Sequence, residues 1–224
     1  MRLGCGWIGA GRKAAFWPVG SQDLKIDLSR MKFESKDDAI IGIADHGGWA
    51  ALVTVTGDGT VVDRRRIELV DPGLPPLPHH HEAQRLPLDQ ALNLVERVRG
   101  SAERHAALGL ATMARTVSVP IRGVALRVLQ TLPLTTAERL RDYRSQNVAD
   151  WVMYREALAR AAESRGWTVH WYDAKTVLEA ARTSLHPNSL DAHFDRAKKS
   201  LGAPWGKDQK VAMAAALMAA AALD

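Results

Sequence analysis

The chain has almost none of the residues that staple a protein covalently or seat it in a membrane. One cysteine, Cys5, stands among 224 residues, which excludes an internal disulfide framework and any cysteine-built zinc site and suits a reducing compartment. A cytoplasmic protein is therefore expected. No apolar run reaches the roughly 18 residues that a membrane-spanning helix needs. The longest candidate, Val211 to Leu223, is alanine-rich and short, so no membrane partner is expected. Arg2, Arg12 and Lys13 mark the N-terminus, but no continuous apolar core of a signal peptide follows them.

What is present is enough for a packed core. Hydrophobic residues make up 46% of the chain, and the length favours one domain with an appendage. Thirty Lys and Arg against 25 Asp and Glu leave a formal charge of +5, which permits an anionic partner such as nucleic acid without requiring one.

Residues 1–36 lack periodicity and run into the polar stretch Lys32 to Asp38, so they read as a poorly ordered extension ahead of a single domain over 37–224. Gly4, Gly6 and Gly9 have dinucleotide-fingerprint spacing, but no strand precedes them and no helical pattern follows, so the context that gives the motif meaning is missing. Met31 is an alternative start to Met1.

From Ala39 onward the pattern is regular. An apolar run ends in Asp45, His46, Gly47 and Gly48, and a second runs from Trp49. Asp58-Gly59 lies between strand-like segments and signals a hairpin, giving an antiparallel meander of three strands. A proline-rich segment, Asp71 to Pro87, reads as a surface loop. A helical period follows over Leu88–Arg115, with Gly100 and Gly109 as candidate breaks. A fourth strand is expected over Ile121–Leu129. A helical stretch, continuous or with one break, runs from an N-cap at Thr135 or Thr136 to Arg165, with Glu138 in its first turn. A fifth strand covers Trp167–Tyr172, and helices follow over Ala174–Thr183, Leu190–Ser200 and from Lys207 onward.

Right-handed helical crossovers join parallel strands, so strand four belongs beside strand one and strand five beside four. The expected fold is α/β: a five-stranded mixed sheet of order 3-2-1-4-5 with helices on both faces. Chain direction diverges between strands one and four, where a ligand crevice forms at strand ends. Asp45 sits there, either delivering a charge to a metal or phosphate or capping its own turn.

Three segments in this order resemble the ribonuclease H-like superfamily, and within it the RuvC-type Holliday-junction resolvases, over about residues 39–220. They are Ile41-Gly42-Ile43-Ala44-Asp45-His46-Gly47 before a hairpin, Val169 to Val177 running from strand into helix, and Lys207 to Ala214 heading the last helix. The resemblance implies a nuclease that cuts structured nucleic acid, DNA rather than RNA, with two magnesium or manganese ions, and a homodimer as its assembly. Two cations answer charge on both the attacking and leaving oxygens of a phosphodiester displacement. Asp45 takes the first-strand ligand place and Asp208 one last-helix place. The fourth strand, where an acid is expected, reads Leu126-Arg127-Val128-Leu129-Gln130, and Lys210 or Val211 stands in place of a second helix acid.

Asp173 at the end of strand five is the candidate third acid, and Glu82 serves only if its loop folds over the strand ends. Arg127 suits a phosphate by geometry. His46, Lys175, Trp205 and Lys207 complete the expected substrate contacts, with Trp205 either stacking on a base or packing its loop onto the sheet. Neighbouring side chains of an extended segment point to opposite sides, so His79, His80 and His81 cannot all face one metal, and a solvated loop is expected there. Arg64, Arg65 and Arg66 alternate faces on strand three, with one paired to Glu68. Three functions stay open: a metal-dependent nuclease using Asp45, Asp208 and Asp173, a ribonuclease H-like nucleic-acid-binding or scaffold protein without the chemistry, and a nucleotide-binding protein of actin or sugar-kinase type, whose hairpin also carries Asp-x-Gly-Gly.

Overall fold

The structure, a computed structural model, describes residues 38–185 and 189–222. The chain divides into two units, Met1–Met31 and Lys32–Asp224, and every described residue belongs to the second. The N-terminal extension, its glycine run and Met31 lie outside the described residues.

Five strands form one sheet: β1 (Ala39–His46), β2 (Trp49–Thr56), β3 (Val61–Glu68), β4 (Ile121–Arg127) and β5 (Thr168–Tyr172), in the order β3-β2-β1-β4-β5. The hairpins β1-β2 and β2-β3 are antiparallel, and β4 and β5 run parallel to β1. This is the expected order, and its cause is visible in the sequence. Two short glycine turns make the meander, and two helical segments long enough to cross back make the parallel pairs. At the second turn Gly59 has φ +83°, and the Asp58 carboxylate accepts from the Thr60 amide at 2.9 Å and the Thr56 hydroxyl at 2.6 Å.

Among the described residues six helices cover both faces: α1 (Leu88–Thr116), α2 (Thr136–Arg141), α3 (Tyr143–Glu163), α4 (Val177–Ser184), α5 (Ser189–Leu201) and α6 (Lys207–Ala221). Strand periodicity sorts the core into two. Ile40 and Ala44 of β1 pack with α4, α5 and α6. Ile41 and Ile43 pack with α1 and α3. Because β1 is central and covered on both sides, seven of its eight residues are buried, which is why it reads as a continuous apolar run.

The alanine-rich α6 lies unusually close to the sheet. A Cβ added to Gly42 would sit 1.7 Å from the Ala212 carbonyl oxygen, so glycine on the strand and alanine on the helix are one packing solution. α1 continues unbroken through Gly100 and Gly109, because Ala91, Val95, Val98, Ala102, Ala106, Leu110 and Met113 keep one buried face in register. The expected helix over 135–165 divides at Asp142, whose carboxylate accepts from the Arg144 and Ser145 amides and caps α3. Thr135 caps α2 in a reciprocal capping box with Glu138.

The histidine loop corrects an expectation. His79 is fully buried, not solvated. Asp150 of α3 accepts the backbone amides of His79 and His80 at 3.1 Å each, and its Oδ1 lies 2.7 Å from His79 Nδ1. Gln146 reaches Gln84, and the Tyr154 hydroxyl donates to the Pro76 carbonyl. Gln146, Asp150 and Tyr154 are spaced by four, so one stripe of α3 fastens the whole proline-rich loop.

Two outcomes follow. Gly42→Ala should cost about 3 kcal/mol in urea unfolding, since the added methyl meets helix backbone that cannot yield. His170 on β5 packs against Gly123, and burial lowers its pKa from the ordinary 6.5. The unfolded chain therefore binds a proton that the folded chain resists. This contribution is complete above pH 6.5 and is lost as pH falls towards the folded pKa. Melting temperature measured down from pH 7 should drop less for His170→Gln than for the parent.

Candidate functional site

β1, β4 and β5 end on the same side of the sheet, and α6 begins beside them. Four polar side chains mark these ends: Asp45, His46, Arg127 and Asp208. Asp45 follows Ile41 and Ile43 in strand alternation, so its carboxylate turns to the α3 face, where it has no exposed surface. Arg155 of α3 meets it, with Nε donating to Oδ2 at 2.8 Å. The same guanidinium donates through Nη1 to the Val128 carbonyl at 3.0 Å and to Gln130 Oε1 at 2.9 Å. Arg127 closes the other side, donating through Nη1 to the Asp45 carbonyl at 3.0 Å, while its Nε stands 3.6 Å from Asp45 Oδ1. That last distance is an ion-pair contact and too long for a hydrogen bond. One buried carboxylate thus faces two guanidiniums.

His46 is one residue on and points to the other face. Its Nε2 lies 3.1 Å from Asp208 Oδ1 at the start of α6. Its ring stacks on Trp49 with centroids 4.1 Å apart and planes within 7°, and the Arg66 guanidinium lies 4.0 Å from the Trp49 centroid. Arg66 also pairs with Glu68 at 2.6 Å.

The expected metal site of Asp45 and Asp208 does not assemble. A strand shows successive side chains to opposite faces, so the carboxylate one residue before His46 is delivered to α3 while His46 takes the α6 side. Asp173 does not supply the missing ligand either. It is exposed, and its Oδ1 accepts from the Lys175 amide at 2.8 Å in the turn leading to α4. Glu82 is exposed in a 3-10 turn, Glu82–Arg85. Among the described residues no three His, Cys, Asp or Glu side chains are grouped to hold a metal ion. A divalent cation wants several oxygens of negative charge, and the Asp45 carboxylate is already met by two guanidiniums. The residues present do not fit the metal pair that the resemblance implies.

The remaining expected contacts are scattered. Lys175 and Lys207 are exposed. Trp205 is half-buried and packs against the α6 core. Arg64 lies 5.8 Å from its centroid and donates to the Gly202 carbonyl at 2.9 Å, closing the end of α5. Arg155 and Asp150, which dominate the geometry, gave no sequence signal. Each stands in a helical stretch where a charged residue ordinarily faces water, and only its spatial partners mark it.

No family model matches the chain, and no curated protein matches it in sequence. Two solved structures of T. thermophilus RuvC are similar to it. The one in complex with Holliday junction substrate is 15% identical over 80% of this chain and 90% of its own, with a TM-score of 0.41. The second, "Thermus thermophilus RuvC structure", is 14% identical over 80% of this chain and 91% of its own, also with a TM-score of 0.41. No helix among the described residues is long and apolar enough to cross a membrane.

The charge cluster makes its own prediction. Asp45→Ala leaves Arg155 buried and unpaired, and should cost about 3–5 kcal/mol. Adding Arg155→Met should recover most of that loss, giving a large coupling energy in a double-mutant cycle by urea unfolding. A metal-ligand role predicts the reverse, because removing a ligand carboxylate relieves strain held for function.

Proposed function

We propose that the chain is a ribonuclease H-like nucleic-acid-binding protein that does not cut by the metal-dependent route. The observation carrying this reading is the Asp45 carboxylate, fully buried between Arg155 and Arg127. Guanidiniums give that carboxylate its counter-charge, so it has no demand for a cation and no open face to offer one. The absence of a strand-four acid points the same way, since Arg127 stands where a ligand is needed. The basic balance of the chain, with a formal charge of +5 and a sequence pI near 9.6, supports an anionic polymer as partner.

Manganese in excess should leave the melting temperature unchanged, whereas a resident site filled to a hundred times its Kd would add about 2.7 kcal/mol. A fluorescent branched DNA should stay uncut with manganese or magnesium. The same DNA should be bound in the presence of EDTA, with affinity falling linearly on a logarithmic salt axis. Metal-dependent cleavage that Asp45→Asn abolishes, with folding intact, overturns the proposal.

A further inference from the structure

β5 is the last strand of the sheet, and a cavity of about 590 Å³ lies between it, α4 and α6. That volume is in the ordinary range of small-molecule sites. Ala180 of α4 and Ala215 and Ala219 of α6 line it, and alanine there leaves space that a larger side chain would take. Residues 169–173 all line it as well, although Val169 packs in the core on the α3 side of the sheet. Residues from both faces of a strand meet one cavity only at the strand's edge, so the cavity reaches the β5 backbone.

That backbone is open. The Tyr172 carbonyl accepts the Val128 amide at 2.9 Å, and the Thr168 carbonyl stands 2.8 Å from the place a Gly123 Cβ would take, so both face β4. Backbone groups alternate between the two sides of a strand, and those of Val169 and Trp171 therefore face away from β4. Among the described residues no strand pairs with that edge. The Val169 carbonyl and the Trp171 amide are neighbours along it, one acceptor beside one donor.

The charge of the cavity selects its ligand. Among the described residues no lysine or arginine lines it, and Asp173 is its one carboxylate. Burial lowers the pKa of His170, so its ring adds no positive charge at neutral pH, and its buried Nε2 has no hydrogen-bond partner. A phosphate would meet a carboxylate and no counter-charge. Asp173 is exposed at the mouth, and its Oδ1 accepts from the Lys175 amide at 2.8 Å, which leaves Oδ2 to accept from a ligand. A carboxylate in such a place suits the hydroxyls of a ribose. Met218 also lines the cavity, and its thioether packs well against an aromatic ring.

We propose that the cavity between β5, α4 and α6 binds an uncharged nucleoside whose base carries an amino group beside a ring nitrogen, as adenosine does. The amino group donates to the Val169 carbonyl and the ring nitrogen accepts from the Trp171 amide. The base lies against Ala215, Ala219 and Met218, and the ribose hydroxyls reach Asp173. Such a site is independent of the nucleic-acid reading above, so the failure of either leaves the other standing.

The test is calorimetric titration of the full chain with adenosine, adenine and AMP, with melting temperatures alongside. Adenosine should bind at one site and raise the melting temperature. AMP should bind about tenfold more weakly, because its phosphate meets no cation. Asp173→Asn keeps an acceptor for the Lys175 amide and turns the second oxygen into a donor. It should weaken adenosine about tenfold and leave adenine unchanged. Ala180→Leu, at a half-buried position, should fill the cavity and remove binding of both without lowering the melting temperature. Absence of adenosine binding at millimolar concentration overturns the proposal. AMP binding as tightly as adenosine overturns the uncharged class, and adenosine binding unchanged in both variants places the ligand elsewhere and overturns the site. Equal loss of adenosine and adenine in Asp173→Asn overturns the ribose contact. If Ala180→Leu lowers the melting temperature, the AMP comparison and Asp173→Asn decide the matter without it.

Discussion

The buried pair of Asp45 and Arg155 is the interaction on which this end of the molecule depends. Both side chains are removed from water, where an unpaired charge is strongly destabilising and a paired one is tolerated only with further hydrogen bonds. Arg155 has them in the Val128 carbonyl and Gln130, and Arg127 adds a second guanidinium beside the carboxylate. The pair therefore fixes three segments at once: the end of β1, the end of β4 and the middle of α3. It also leaves the Asp45 carboxylate buried with a guanidinium on either side.

α3 extends that role. Its Gln146, Asp150 and Tyr154 fasten the proline-rich loop, and Arg155 fastens the strand ends. A segment whose sequence reads as an ordinary charged helix is thus the internal frame of one whole face. On the other face alanines of α6 and Gly42 of β1 bring helix backbone directly against the strand. Both faces have an apolar core, and the α3 face adds polar fastening to it.

Much of the fold was legible because its signals are local. Asp58-Gly59 gives a turn whatever surrounds it, Thr135 and Glu138 give a helix start, and the apolar run of β1 has the length and composition of a central strand. The order of elements then leaves few topologies. Element ends were less legible: β4 stops at Arg127 rather than Leu129, and α4 starts at Val177 after a turn capped by Asp173, because tertiary contacts decide where pairing ceases. The site was the least legible part. Asp45 was visible as an unusual acid at a strand end, but its partner is 110 residues away and carries no motif.

The sequence by itself determined the meander, the two crossovers, the strand order that follows from them, and the absence of an acid at the end of β4. These depend on turn chemistry, periodicity and connection length, all of which act between near neighbours. Only the tertiary structure decided that His79 is buried against Asp150, that His46 rather than Asp45 faces Asp208, and that two arginines close on Asp45. Strand alternation made the choice of face a matter of one residue. Which helix then covers each face, and with which side chain, is settled by packing between segments far apart in the chain.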